Sequence, residues 1–255
     1  MILVSDIGNS NITIGIFEGD KLIMNARINT DKNYTIDQFA VTYYEILQIN
    51  KIEIDKIEGS IISSVVPEIT LSVKKAIEIV TNAISLIVGP GIKTGLNILI
   101  DDPAELGADF VIASVAIKKK YPLPCICYDL GTATKIFIVD KDGAFIGGAI
   151  APGVKLSLNA LSSKTSLLPY IGLDIPKKYI GKNTSECMLS GSVLGTIAML
   201  KELKFKMQKE LKEEFKTSVI TGGLASKELA KYIDKDLIYN ENLLLEGLNE
   251  IYLKN

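Results

Sequence analysis

The chain has 255 residues, 28 basic and 30 acidic side chains, a net charge of -2 and 47% hydrophobic residues, which suits one large α/β unit or two halves of about 120 residues each. Near-neutral charge without a basic stripe argues against a nucleic-acid surface. The absence of histidine excludes Ser-His and Cys-His catalysis, histidine-ligated zinc and imidazole general bases.

The first apolar run, 2–5, meets Asp6, which argues against a signal peptide. The polar turn Asp6-Ile7-Gly8-Asn9-Ser10 leads into an alternating Ile/Thr-rich run at 11–17, and a turn at 18–20 leads into 21–28. Three strands in a meander are expected. An amphipathic helix over 36–49 follows Asp31 and Asn33, then a β-branched strand over 61–66. Pro67 can open a helix over 68–82, where its missing N–H costs nothing. A strand over 84–88 and a helix over 103–119 close the first βββαβα pattern.

The pattern then restarts. After the charged, proline-bearing junction 118–124 come a strand over 125–129, a turn at Gly131-Thr132, and strands over 133–139 and 144–150. Helices are expected over 154–160 and 184–214, a strand over 218–221, a helix over 226–232, a strand over 237–239 and a closing helix over 242–252. No apolar run reaches the ~18 residues of a membrane span. The expectation is a cytoplasmic protein that engages no membrane and no nucleic acid. Cys125 and Cys127 are one residue apart in an apolar run, without the spacing of a redox or zinc pair, and read as buried small hydrophobes.

The motif apolar-Asp-X-Gly-(Asn/Thr)-X-strand therefore occurs twice, at Asp6 and Asp129, as in an approximate internal duplication. Glycine lets the backbone approach a ligand, and exposed N–H groups with small polar side chains can cradle phosphate oxygens. A carboxylate there can hold Mg²⁺ through water. Either hairpin alone is also ordinary turn chemistry. Two of them, followed by Thr221-Gly222-Gly223 after a β-branched run, make the layout of the sugar kinase, hsp70 and actin superfamily. The implied fold is α/β: two ribonuclease-H-like (actin-like) halves, 1–117 and 118–255, each a mixed five-stranded sheet with flanking helices. Neither Gly91-Ile92-Lys93-Thr94 nor Gly181-Lys182-Asn183-Thr184 completes a P-loop, and no Gly-X-Gly-X-X-Gly follows the first strand.

Ordered motifs along the chain resemble the type III pantothenate kinases. They are Asp6-Ile7-Gly8-Asn9-Ser10, Ser63-Ser64-Val65-Val66-Pro67, Gly107-Ala108-Asp109, Asp129-Leu130-Gly131-Thr132-Ala133-Thr134 and Gly147-Gly148-Ala149-Ile150-Ala151-Pro152-Gly153. Ile180-Gly181-Lys182-Asn183-Thr184, Thr221-Gly222-Gly223-Leu224-Ala225 and Leu245-Glu246-Gly247-Leu248 complete the series. The resemblance implies ATP-dependent phosphorylation of pantothenate, the first step of coenzyme A synthesis. It also implies Mg²⁺, a monovalent cation (K⁺ or NH₄⁺) and a homodimer whose interface carries the active site. By the same resemblance Asp109 is the base near the acceptor hydroxyl, with Gly107 beside it. Asp6, Gly8, Asn9 and Ser10 handle phosphate and Mg²⁺, and Asp129 sits near the monovalent cation. Gly131, Thr132 and Thr134 lie near phosphate, Gly222 and Gly223 near adenine, and Thr184 lines the acceptor pocket.

On the residues alone, Asp109 also reads as a first-turn acid favouring its helix dipole. Three positions depart from the family pattern, all on the acceptor or cation side. Phe110 stands where arginine is usual, Ile100 where tyrosine is frequent, and Lys135 where threonine follows the second phosphate turn. Guanidinium suits bidentate capture of a carboxylate such as that of pantothenate. Three readings follow: pantothenate kinase, a diverged kinase for another small hydroxyl acceptor, or a non-catalytic nucleotide-binding regulator. Lys135 is either a strand-edge lysine in water or an ammonium that partly replaces the monovalent cation.

Overall fold

The computed structural model describes residues 1–223 and 227–255. Two compact units emerge from it. Unit 1 comprises Met1–Asn97, Asp101–Lys120 and Asn242–Asn255, and unit 2 comprises Ile98–Ile100 and Tyr121–Glu241.

Unit 1 opens with the meander β1 (Ile2–Ile7), β2 (Asn11–Glu18) and β3 (Lys21–Asn29). Then come α1 (Ile36–Ile49), β4 (Gly59–Ser64), α2 (Pro67–Thr81) and β5 (Ser85–Ile87). The sheet order is β3-β2-β1-β4-β5. The meander is antiparallel, and β1, β4 and β5 run parallel. Thr35 and Gln38 form a reciprocal capping box at the head of α1, satisfying two otherwise orphaned N–H groups. Pro67 is the first residue of α2, as expected for a proline at a helix start. Both helices cover one face of the sheet, where Leu3, Ile12, Ile14 and Ile62 pack with Phe39, Tyr43, Val73 and Ile77. Inside this layer the Tyr43 hydroxyl and Ser5 Oγ lie 2.6 Å apart, satisfying both buried groups.

The helix expected over 103–119 is divided. Asp102 Oδ1 accepts the Ala104 N–H at 2.9 Å and caps a short 3₁₀ turn, Pro103–Glu105. Leu106 is extended and ends that turn. Before it runs the two-residue strand β6 (Asn97–Ile98), and after it α3 (Ala108–Lys120).

Unit 2 contains β7 (Cys125–Leu130), β8 (Ala133–Val139), β9 (Ala144–Pro152) and α4 (Val154–Lys164). The expected helix over 184–214 is α5 (Thr184–Leu189), a π turn at Ser190–Leu194, and α6 (Gly195–Leu211). Next come β10 (Thr217–Thr221), α7 (Lys227–Ile233) and β11 (Ile238–Tyr239). The sheet order is β11-β10-β7-β8-β9-β6. Six strands thus stand where five were expected, the sixth being the two-residue β6. Ile126, Tyr128, Ile136 and Ile220 are among the sheet residues of a core that also takes in Leu158, Leu194, Ile197 and Leu200.

The chain closes with α8 (Leu243–Tyr252). This helix departs from the expected division at 117/118, because it belongs to unit 1. Its apolar stripe, Leu245, Leu248 and Ile251, packs with Val4 and Ile61 of the first sheet and with Ile112 and Val115 of α3. Gly247 lies so close to the Ile112 carbonyl that a Cβ would collide with it. The terminal Leu245-Glu246-Gly247-Leu248 motif is therefore a packing device. Lys120–Glu246 at 2.6 Å and Lys119–Glu250 at 3.3 Å flank the contact.

Candidate active site

In unit 1, Asp6 lies near the end of β1. It is in register with Thr13 on β2 and Ser63 on β4, so the three side chains share one face of the sheet. Ser63 is buried, and its hydroxyl has no hydrogen-bond partner among the described residues. Beyond Asp6 the Gly8 N–H donates to the Asn11 carbonyl at 2.9 Å. Thr30 fixes the turn from outside: its hydroxyl donates to Gly8 O at 2.6 Å and its N–H to Ser10 O at 3.0 Å. Asn9 and Ser10 are left exposed on this braced turn. The neighbouring Ser63-Ser64-Val65-Val66-Pro67 motif works partly through structure. Ser64 Oγ accepts the Val66 N–H at 3.1 Å and the Thr70 hydroxyl at 2.7 Å, which organises the head of α2.

Asp109 is the second residue of α3. Its Oδ1 accepts the Phe110 N–H at 2.9 Å, which fixes the carboxylate at the helix start. A Cβ on Gly107 would stand 2.7 Å from that oxygen, so a glycine is required for the carboxylate to lie there. Phe110 is half-buried beside it. The buried Ile112, Val115 and Ala116 hold α3 in the unit's core, so Asp109 stands on a rigid element.

In unit 2, β7 and β8 form the second hairpin. Gly131 donates to Ala133 O and Gly153 donates to Thr132 O, each at 3.1 Å. Thr132 is exposed at the tip, whereas Thr134 is buried with no hydrogen-bond partner for its hydroxyl among the described residues. Asp129 is in register with Lys135 on β8 and with Thr221 on β10. The Lys135 Nζ and Asp129 Oδ2 are 2.5 Å apart, with side chains only 12% and 10% exposed. This excludes the reading of Lys135 as a strand-edge lysine in water. Gly222 has φ +100°, and a Cβ there would lie 2.6 Å from the backbone of Leu130. Only glycine lets β10 end against the root of the hairpin. Gly223 is exposed beside it. Leu224 and Ala225 of the motif, and the expected helix start at Ser226, lie outside the described residues.

Thr184 is the first residue of α5, and it is exposed. Asn183 Oδ1 accepts the Glu186 N–H at 2.9 Å, and the Glu186 carboxylate accepts from Lys182 N at 2.7 Å and Asn183 Nδ2 at 2.9 Å. The Gly181-Lys182-Asn183-Thr184 stretch is thus a helix cap, which explains its failure as a P-loop. Ile100 is half-buried in the short piece Ile98–Ile100 of unit 2. Cys125 and Cys127 are buried; burial pushes the Cys125 thiol up to about 12 and Cys127 well above its ordinary value, so neither is a nucleophile. Sequence reasoning missed Ser63 and Thr221 as neighbours of the two hairpin carboxylates. The available signal was a hydroxyl at the C-terminal end of the strand flanking each one.

Residues 2–205 match a family model described as type III pantothenate kinase. The chain belongs to that family. A type III pantothenate kinase from an Exiguobacterium species is 38% identical over 257 residues, covering 100% of this chain and 99% of the relative. The chain is accordingly a kinase, and the family's reaction is phosphorylation of pantothenate by ATP, which opens coenzyme A synthesis. The fold has solved counterparts at lower identity. A Campylobacter jejuni protein described as a Baf family transcriptional activator is 22% identical, with TM-score 0.63 over 99% of this chain and 98% of that one. A ROK family glucokinase from Streptomyces griseus, solved with glucose and AMPPNP, is 11% identical, with TM-score 0.51 over 98% and 97%. These likenesses bear on the fold, that of the actin-like kinases. Among the described residues no helix is long and apolar enough to cross a membrane.

Proposed function

We propose that this pantothenate kinase transfers the γ-phosphoryl group of ATP to the terminal hydroxyl of pantothenate, with Asp109 orienting that hydroxyl and accepting its proton. The observation that carries the assignment is the Asp109 carboxylate, pinned by the Phe110 N–H at the start of α3 and cleared by Gly107. Phosphoryl transfer is mainly positioning and charge neutralisation, and a fixed carboxylate at the acceptor is its recurrent protein part.

The β1–β2 turn supplies Gly8, Asn9 and Ser10 to phosphate oxygens, and the β7–β8 turn supplies Gly131, Thr132 and Thr134. Gly222 and Gly223 form the adenine platform. Mg²⁺ fits Asp6: one carboxylate beside the Ser63 hydroxyl offers hard oxygen donors, and this ion keeps most of its waters. Mg²⁺ would supply neutralisation of phosphate charge there. Asp129 does not fit a second, monovalent ion in the same way, since Lys135 already lies against it. Gly107, Ile100, Phe110 and Thr184 belong to the acceptor side. A homodimer, with Thr184 completing the acceptor pocket, agrees with the exposed Ile150, Leu167, Tyr170, Tyr179 and Ile180 side chains of unit 2.

The test couples ADP release to pantothenate in wild type and Asp109→Asn, with ATP binding measured by calorimetry. Loss of pantothenate-dependent turnover by about 10²-fold or more, with ATP affinity kept, is expected for removal of a general base. Unimpaired turnover in the variant would remove Asp109 from its role. Sedimentation of the purified protein tests the dimer.

A further inference from the structure

The β7–β8 hairpin and β10 assemble a small polar cluster on one sheet face. Asp129 has Lys135 in register on one side and Thr221 on the other. The Lys135–Asp129 ion pair spans 2.5 Å, and both side chains are nearly out of solvent. Thr221 is wholly buried, and its hydroxyl finds no hydrogen-bond partner among the described residues. The carboxylate's own strand is flanked by the buried Cys127, whose thiol burial keeps protonated and uncharged. The lysine stem runs along a strand whose next same-face residue is the buried Phe137. Lys135 is therefore committed to a dry environment, which an ammonium tolerates only against a counter-charge.

We infer that Lys135 is a tethered cation that permanently holds the Asp129 position, so that this enzyme works without K⁺ or NH₄⁺. This inference rests on the kinase reading above. The chemistry is direct. A lysine ammonium carries the same single charge as NH₄⁺ and donates to the same oxygen acceptors, but it is delivered by the β8 register instead of drawn from solution. A further monocation beside Asp129 would meet the Lys135 charge at short range and low effective dielectric, where like charges repel most. Lys135 acts here through Asp129, and it is a positioning residue: it fixes the carboxylate at the root of the phosphate-binding turn, one residue before Leu130 and two before Gly131.

The inference predicts a conversion. In Lys135→Thr the ammonium is replaced by a neutral oxygen, and the vacated volume lies beside the Asp129 carboxylate and the Thr221 hydroxyl. Hard oxygen donors suit hard cations, and potassium is small enough to enter where tetramethylammonium is not. The experiment compares wild type and Lys135→Thr in potassium, sodium and tetramethylammonium chloride at one ionic strength. Three readouts are taken: melting temperature, ATP affinity by calorimetry, and pantothenate-dependent turnover.

Wild type should vary by less than about two-fold in affinity and turnover among the salts, because screening is held constant. Lys135→Thr should lose about ten- to a hundred-fold in ATP affinity and turnover in tetramethylammonium, the range of one charge-assisted contact. Potassium should restore both and raise its melting temperature. A wild-type enzyme that loses ten-fold or more on removal of potassium overturns the inference, and that arm needs no variant to fold. A Lys135→Thr protein indifferent to potassium in all three readouts overturns it as well. If neither protein phosphorylates pantothenate, the kinase reading fails. The melting and ATP-binding responses to potassium then still decide the question of the tethered cation.

Discussion

Gly222→Ala is the substitution whose consequence can be worked out most directly. The residue combines φ +100° with a close approach to Leu130, where an added Cβ would sit 2.6 Å from backbone C, N and O. A sparsely populated backbone region costs about 1–3 kcal/mol for a residue with a side chain. Forcing a methyl group into occupied space costs about another 1–3 kcal/mol. The expected total is about 2–6 kcal/mol, and at roughly 2–4 °C per kcal/mol this lowers the melting temperature by about 4 °C at the least. The displaced atoms belong to Leu130, between Asp129 and Gly131, so ATP affinity should fall together with stability. Thermal unfolding and ATP calorimetry measure the two effects. Gly172→Ala is the control, with nothing within 4 Å of its Cβ. A Gly222→Ala protein that melts within about 1 °C of wild type would refute the argument, because strain and collision would both have to vanish.

Two further outcomes follow from the same structure. Phe110→Arg, which supplies the guanidinium that the family pattern carries beside Asp109, should lower KM for pantothenate about ten- to a hundred-fold and leave the uncharged alcohol analogue unchanged; equal effects on both acceptors would show that position 110 does not read the carboxylate. Titration of the native protein with an aromatic disulfide at pH 8 should modify Cys187 alone, since Cys125 and Cys127 are buried with thiols pushed far above that pH, and unfolding should release the other two; rapid reaction of a second thiol in the native state would contradict the packing of β7.

Legibility from sequence was uneven for physical reasons. The two hairpins were readable because an acid, a glycine and a small polar residue between alternating apolar runs can hardly do anything but turn. The division of the expected 103–119 helix was not, because Pro103 is an equally good first residue for a helix and for a 3₁₀ turn. The π turn at Ser190–Leu194 inserts into an unbroken helical pattern, and no residue type announces such a bulge. β6 is two residues long and is specified only by its neighbour in the sheet. Of the polar cluster, the Asp129–Lys135 pairing was not legible, since a two-residue turn at Gly131-Thr132 would set Asp129 opposite Thr134, whereas three residues, Gly131, Thr132 and Ala133, separate Leu130 from its partner Thr134. Thr221 enters by a parallel pairing almost a hundred residues away in the chain, which no local pattern encodes.

The position of α8 has a consequence for biogenesis. Val4 and Ile61 of the first sheet and Ile112 of α3, made early, lack part of their apolar cover until Leu245, Leu248 and Ile251 arrive. Unit 2 is in effect inserted into unit 1, so the first unit to be synthesised is the last that can be finished. A nascent chain halted after residue 241 would carry every proposed phosphate-binding and acceptor residue and yet display the apolar surface that α8 covers, the kind of surface on which chaperones and proteases act.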